Sequence, residues 1–364
     1  MKKWVLILLA CSMLSGCASS SNQKTEAAAT EAEVETTEAE AAETAAEESK
    51  TAEIVKHETE RVMASAEETQ PQVENGWKEH AEGFQYLENG VPAVGWRAID
   101  GEAYYFDQNG WMQTGEKKLG YQGFTFDASG HLRGIQRLEN SQEETVYYYG
   151  DGKYILRDGN LYWEDSAGSR NQIFDWEAHG MSGFSELSGE VRHGIMDFTV
   201  ADGKIYATTT EGLAYMQLDG TECKRIGIEG NFPEPIRESY GLAADHGRMY
   251  YCMGIEGVGG GSDFYYAPQI GVMSDGSYTG WGVRSRYDKM QAAGERNGFL
   301  AVKTITESDM IFLEGAEPCD RRLVWVTEAG EQVLVESGVD EYLFCGNSVW
   351  YMKDGQLQKA DVEI

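Results

Sequence analysis

Basic side chains are scarce in this chain: 30 lysines and arginines stand against 61 aspartates and glutamates, a formal net charge of −31 over 364 residues. Nucleic-acid recognition selects basic stripes that neutralise phosphates, so this balance excludes DNA or RNA as a partner. It equally excludes an electrostatic hold on anionic lipid. Beyond the first few residues, no segment reaches the about 20 consecutive apolar residues that a spanning helix requires. Catalytic signatures are missing too, with no HExxH, Walker loop, GxSxG elbow or calcium loop of alternating aspartates. Ser185 has no elbow context. Gly257-Val258-Gly259-Gly260-Gly261-Ser262 lacks the third glycine and the following helix of a dinucleotide fingerprint, and reads as a flexible insertion near Tyr265 and Tyr266. His179, His193 and His246 are isolated, so neither a metal nor a cofactor is expected. Cysteine spacing gives no CxxC pair, and Cys223, Cys252, Cys319 and Cys345 are left either as free thiols or as disulfides.

What is present begins at the N-terminus. Lys2 and Lys3 form a short positive region, and Trp4 to Ala10 an apolar stretch too short to remain as a spanning helix. It ends in Leu14-Ser15-Gly16-Cys17, small residues that a peptidase cleft admits before a thiol suited to a lipid donor. This pattern resembles the lipobox of bacterial lipoprotein signal peptides. The resemblance implies a signal peptide over residues 1–16, cleavage before Cys17 and a diacylglycerol on its thiol. The mature chain would then be held by lipid on the extracellular face of the cytoplasmic membrane.

Residues 18–75 carry fifteen acidic and four basic side chains without one aromatic. Such a segment cannot bury a core, so 17–75 reads as a disordered acidic tether that lifts the folded part outward. At Gly76 the composition turns to aromatics and glycine. Three segments align, running Gly76-Trp77 to Gly95, Gly95-Trp96 to Gly115, and Gly115-Glu116 to Gly134, each with an alternating aromatic strand and an Asn-Gly or Ser-Gly turn. A period near 20 residues is the scale of a solenoid built from one hairpin per repeat, and such hairpins must stack to share a core.

These repeats resemble the cell-wall-binding repeats of Gram-positive surface proteins, the family of choline-binding and glucan-binding modules. The residues that carry the resemblance are the Gly-Trp pairs, Tyr104-Tyr105-Phe106-Asp107, Asn109-Gly110 and Met112-Gln113-Thr114-Gly115. The resemblance implies a ligand held between consecutive hairpins by an aromatic cage, with Trp77, Phe84, Trp96, Tyr104, Tyr105, Trp111 and Met112 as candidates. Rings of this kind attract a quaternary ammonium by cation–π interaction or stack against the apolar face of a sugar. Two departures matter: Ala103 stands where choline-type repeats carry tryptophan, and Glu116 replaces the tryptophan of the third Gly-Trp pair. At most two cages remain, and wall carbohydrate becomes as open as choline.

From residue 136 onward a different unit repeats. Asp158-Gly159-Asn160-Leu161-Tyr162-Trp163 returns near Asp202, His246, Asn297 and Gly346, at intervals of 44 to 51 residues. That interval, with short strands and glycine turns around each copy, is the scale of a propeller blade. The region resembles the uncharacterised propeller domains of clostridial surface lipoproteins, a resemblance carried by Asp202-Gly203-Lys204-Ile205-Tyr206 and Leu218-Asp219-Gly220-Thr221.

The expected fold is all-β: hairpin repeats over 76–134, then a five-bladed propeller over 136–364, with six blades or a pair of stacked sandwiches as alternatives. Thr145 to Tyr149 is expected to pair with the C-terminal strand and close the ring. The expected function is non-enzymatic binding of cell-wall polysaccharide or teichoic acid, with the propeller presenting a second surface to a protein or glycan. A glycan-acting hydrolase with the propeller as catalytic domain, and repeats that merely brace the propeller, are the other readings.

Overall fold

Glycines at intervals of 19 and 20 residues cut the segment after Asn75 into three hairpins. The first joins β1 (Gly76–His80) to β2 (Gly83–Glu88), with a short β3 (Val91–Pro92). The second joins β4 (Gly95–Ile99) to β5 (Glu102–Phe106). The third is a sheet of β6 (Gly115–Leu119), β7 (Gln122–Phe126) and β8 (Leu132–Arg137). Register is the same in all three, pairing Gly76 with Leu87, Gly95 with Phe106 and Gly115 with Phe126. This computed structural model describes residues 74–141, 143–178, 194–227, 236–258, 264–281, 285–306 and 318–363. The leader, Cys17, the acidic stretch, Ser185, His179, His193 and residues 259–263 lie outside them, as do the side chains of Tyr265 and Tyr266. Among the described residues every regular element is a strand.

The turns differ from the expected Asn-Gly hairpins. Each main hairpin turns before its aromatic strand, as at Asp100-Gly101, where both φ angles are positive (51° and 86°). Asn89-Gly90 is a two-residue turn, but it closes β2 onto β3. At Asn109-Gly110 and Ser129-Gly130 an aspartate shapes the loop. Asp107 Oδ1 accepts the N–H groups of Asn109 and Trp111, both at 2.9 Å, and Asp127 Oδ1 those of Ser129 (2.9 Å) and His131 (3.0 Å). A carboxylate bonded to its own following backbone replaces the tight turn.

The propeller follows as five antiparallel meanders. Blade 1 holds β9 (Thr145–Tyr149), β10 (Gly152–Arg157), β11 (Asn160–Glu164) and β12 (Arg170–Phe174). Blade 2 holds β13 (Ile195–Ala201), β14 (Lys204–Thr209), β15 (Gly212–Gln217) and β16 (Lys224–Gly227). Blade 3 holds β17 (Ile236–Asp245), β18 (Arg248–Val258), β19 (Phe264–Ser274) and β20 (Ser277–Trp281). Blade 4 holds β21 (Asp288–Ala292), β22 (Phe299–Thr306), β23 (Pro318–Thr327) and β24 (Gly330–Val335). Blade 5 has three strands, β25 (Glu341–Cys345), β26 (Ser348–Lys353) and β27 (Gln356–Asp361). The first strand of each blade faces the axis. β17 lies beside β13 and β21, Tyr147 of β9 bonds Val200 of β13, and Gln291 of β21 bonds Phe344 of β25.

Apolar side chains fill each gap between blades. Leu161, Phe174 and Phe198 pack between blades 1 and 2; Leu213, Met249 and Met273 between 2 and 3; Tyr250, Phe299 and Val324 between 3 and 4; Leu300, Leu323 and Val349 between 4 and 5. Cys223, Cys252 and Cys345 are free thiols. Burial pushes Cys252 and Cys345 up to about 12, so both stay protonated and inert.

Two sequence expectations are corrected here. The motif at Asp158-Gly159 lies one hairpin later than its counterparts: it joins β10 to β11, whereas Asp202-Gly203, His246-Gly247 and Gly346-Asn347 join the first two strands of their blades. Gly150-Asp151 holds that position in blade 1. The ring is also not closed by β9 pairing with the last strand, because β9 pairs with β10 and β25–β27 form a sheet of their own. Closure comes from the β6–β8 sheet. Phe124, Phe126, Leu132 and Ile135 pack on Leu343, Cys345 and Trp350 of blade 5. On the other side Gly120 and Tyr148 exchange backbone hydrogen bonds of 2.8 and 2.9 Å. The third repeat thus stands as a wedge between blades 5 and 1. Residues 134–136, where the composition changes, lie inside β8, and Val73–Ile364 form one compact unit.

Candidate functional site

Because the hairpins share one register, equivalent rings meet in equivalent ways. Trp77 and Tyr86 are cross-strand neighbours, and the Trp77 ring packs on Tyr104 (4.9 Å) and Phe106 (5.9 Å) of the next repeat. One repeat on, Trp96 pairs with Tyr105 and packs on Phe124 (4.8 Å) and Phe126 (5.7 Å). Each seam therefore sets the tryptophan face of one hairpin on the aromatic face of the following one. Among the described residues no repeat precedes the first, and the position held by Tyr104 and Phe124 is there the polar Gln85.

The seven rings and side chains singled out by the repeat pattern fall into three places. Trp77 and Tyr104 share the first seam, Tyr104 buried and Trp77 still 42% exposed. Phe84, 41% exposed, lies beside the chain of Trp111 and Met112, whose N–H bonds the Phe84 carbonyl at 2.9 Å; Trp111 in turn meets His80 edge-on at 5.3 Å. Register places Ala103 and Gly123 at the site equivalent to Phe84, so only the first repeat carries a ring there. Trp96 and Tyr105 are half-buried and stand at the axis of the propeller.

They border an axial cavity of about 410 Å³. The inner strands of all five blades line it, with Tyr147 to Tyr149 from β9, Thr199 from β13, Asp245 from β17, Lys289 and Gln291 from β21, and Tyr342 from β25. The third repeat contributes Tyr121, Gln122 and Arg137. Lys289 sits at a bulge in β21 with φ of +50°, a strained backbone for a lysine, and forms an ion pair with the buried Glu341. Gln122 Nε2 donates to Glu341 Oε2 (2.8 Å) and to the Tyr342 carbonyl (3.1 Å), fastening the β6–β7 turn to blade 5. Tyr121 from the same turn donates to the Phe198 carbonyl and lies 3.3 Å from Asp197 Oδ1. Burial raises the Tyr121 hydroxyl well above its ordinary value and pushes Asp197 up to about 6. No cluster of His, Cys, Asp or Glu suited to a metal occurs among the described residues.

The tyrosine run of β9 was legible as a strand, but nothing marked it as a cavity wall. Lys289, Gln291 and Arg137 carried no signal, since each comes alone from a different sheet.

Fold and cavity together define a class: an all-β propeller domain suited to holding a ligand or a partner. No protein-family model and no curated protein matches the chain. Solved structures offer distant likenesses. The WD40 domain of Neurospora crassa Pan2 is 8% identical, covering 74% of each chain, with a TM-score of 0.34. The extracellular domain of the one-component system BT4673 from B. thetaiotaomicron is 10% identical over 78% of this chain and 36% of its own, at 0.37. The N-terminal domain of Nup159 is 9% identical over 66% and 71%, at 0.30. These likenesses are too slight to bear on function, and the propeller is defined by its own sheet order and interblade cores.

Proposed function

We propose that the protein is a non-enzymatic binding lipoprotein of the bacterial surface. Lipid on Cys17 holds it to the cytoplasmic membrane, the acidic segment reaches outward, and the first repeat grips cell-wall polysaccharide or teichoic acid. The observation that carries this reading is the exposure of two rings of the first repeat, Trp77 at its seam with the second repeat and Phe84 beside the chain of Trp111 and Met112. Exposed rings offer a stacking surface to a sugar and a cation–π surface to choline, worth about 2 kcal/mol or more once desolvated. The strongly acidic chain suits the cationic groups that choline-bearing or alanylated polymers display. The second and third repeats serve a structural purpose, with Phe124 and Phe126 given over to the core against blade 5.

The test is retention of the full chain, purified in detergent, on isolated Gram-positive cell walls, with and without free choline. Trp77→Ala with Phe84→Ala is expected to abolish retention. Because Trp77 also packs on Tyr104 and Phe106, the melting temperature should fall somewhat, and circular dichroism should show the variant still folded at the assay temperature. Competition by choline would identify the ligand as a quaternary ammonium; loss in the variant without competition would identify a carbohydrate. Retention that survives the double substitution would overturn the reading.

A further inference from the structure

The axial cavity is already spoken for in part. Gln122 and Gln291 spend their amides on Glu341, Tyr342 and Phe344. The hydroxyls of Tyr121, Tyr147 and Tyr342 go to backbone carbonyls. Lys289 is neutralised by Glu341, and Asp245 Oδ1 lies 2.9 Å from His246 Nδ1. What remains lies on one side, at the junction of the third repeat with blade 1. There the hydroxyls of Tyr105, Tyr148 and Tyr149 have no hydrogen-bond partner among the described residues. The Arg137 guanidinium lies over the Tyr121 ring at 4.8 Å, and Tyr121 meets Tyr147 edge-on at 4.8 Å. No carboxylate stands within ion-pair distance of Arg137 among the described residues, although the chain carries twice as many acids as bases; the Arg137 charge acts at longer range on Asp197.

We infer that this corner of the axial cavity is a binding site for a small saccharide bearing a carboxylate. Trp96 packs on Phe124 and Phe126, and Lys118 lies over the Tyr148 ring. The apolar side of a pyranose would therefore rest against Tyr105 and Tyr149, with the free phenols meeting its hydroxyls and the guanidinium fork its carboxylate. A cavity of about 410 Å³ has the size of a one- or two-ring ligand. The site is built from both halves of the molecule: Tyr105 and Arg137 come from the repeats, Tyr148 and Tyr149 from the propeller. It stands whether or not the first repeat holds wall polymer, because Trp77 and Phe84 take no part in it.

Calorimetric titration of the full chain in detergent, with glucuronic acid and N-acetylmuramic acid against glucose and N-acetylglucosamine, tests it. Acidic sugars are expected to bind at roughly 1 mM or tighter, and neutral ones about tenfold or more weakly. Arg137→Gln should erase that preference, Arg137→Lys should restore only part of it, and Tyr149→Phe should weaken acidic sugars alike. Trp77→Ala with Phe84→Ala should change none of these values, which separates this site from the polymer site. Equal binding of acidic and neutral sugars, an Arg137→Gln variant of unchanged melting temperature that keeps the preference, or no binding at all would each overturn the inference.

Discussion

Glycine at two blade entrances is set by tryptophan. An added Cβ at Gly298 would lie 2.5 Å from both the Trp325 ring and the Val326 carbonyl, and one at Gly152 would lie 2.4 Å from Trp163. Backbone cannot yield there, so Gly298→Ala is expected to destabilise by about 1–3 kcal/mol in a denaturant melt. Gly280, with open space around it, is the control, and Gly280→Ala should be neutral or slightly stabilising. Asp197 makes the opposite kind of prediction. Its carboxyl is held protonated up to about pH 6 by burial, above the unfolded value, so the native state binds the extra proton between those two points. Its contribution to stability is present at the acid end and lost as pH rises through about 6. Asp197→Asn keeps the acceptor for the Phe198 N–H and Tyr121, and should gain about 2–3 kcal/mol over the parent at pH 8 but little at pH 4. An equal difference at both values would remove burial of the charge as the cause.

At the scale of elements, the strands were readable and their phase was not. Period-2 alternation and glycine spacing placed the three hairpins and the blade interval, because those patterns are local. The first blade was misphased because Asp151-Gly152-Lys153 and Asp158-Gly159-Asn160 are both turn sequences, seven residues apart, and only pairing tells which opens the second strand. Ring closure escaped for a different reason: Phe124 and Phe126 continue the alternation of the repeats, and no local signal says that their core includes Trp350. Of the candidate site, the aromatic spacing revealed Trp77, Trp96 and Tyr105, while the cavity is assembled from single residues of separate sheets. Trp350→Ala is expected to cost about 3–5 kcal/mol. Hydrogen exchange should show protection lost together in β7, β8 and β26, and loss confined to blade 5 would deny the wedge its role.

For the molecule as a whole, the shared core predicts a single unfolding unit. Calorimetry on the full chain should give one transition with equal calorimetric and van't Hoff enthalpies, where independent repeats and propeller would give two. Removing 76–134 should leave blades 1 and 5 without their common neighbour and yield an aggregation-prone propeller, read by light scattering.

The hydrogen bonds of Gln122 to Glu341 and Tyr342 join residues more than two hundred positions apart. Synthesis delivers the third hairpin long before blade 5, so the piece that locks the circle is made early and seated late. Until Trp350 arrives, Phe124 and Phe126 are covered by Trp96 and not by blade 5. This places the chain's greatest need for a chaperone in the interval between those two events, and makes the last blade the timer of its maturation.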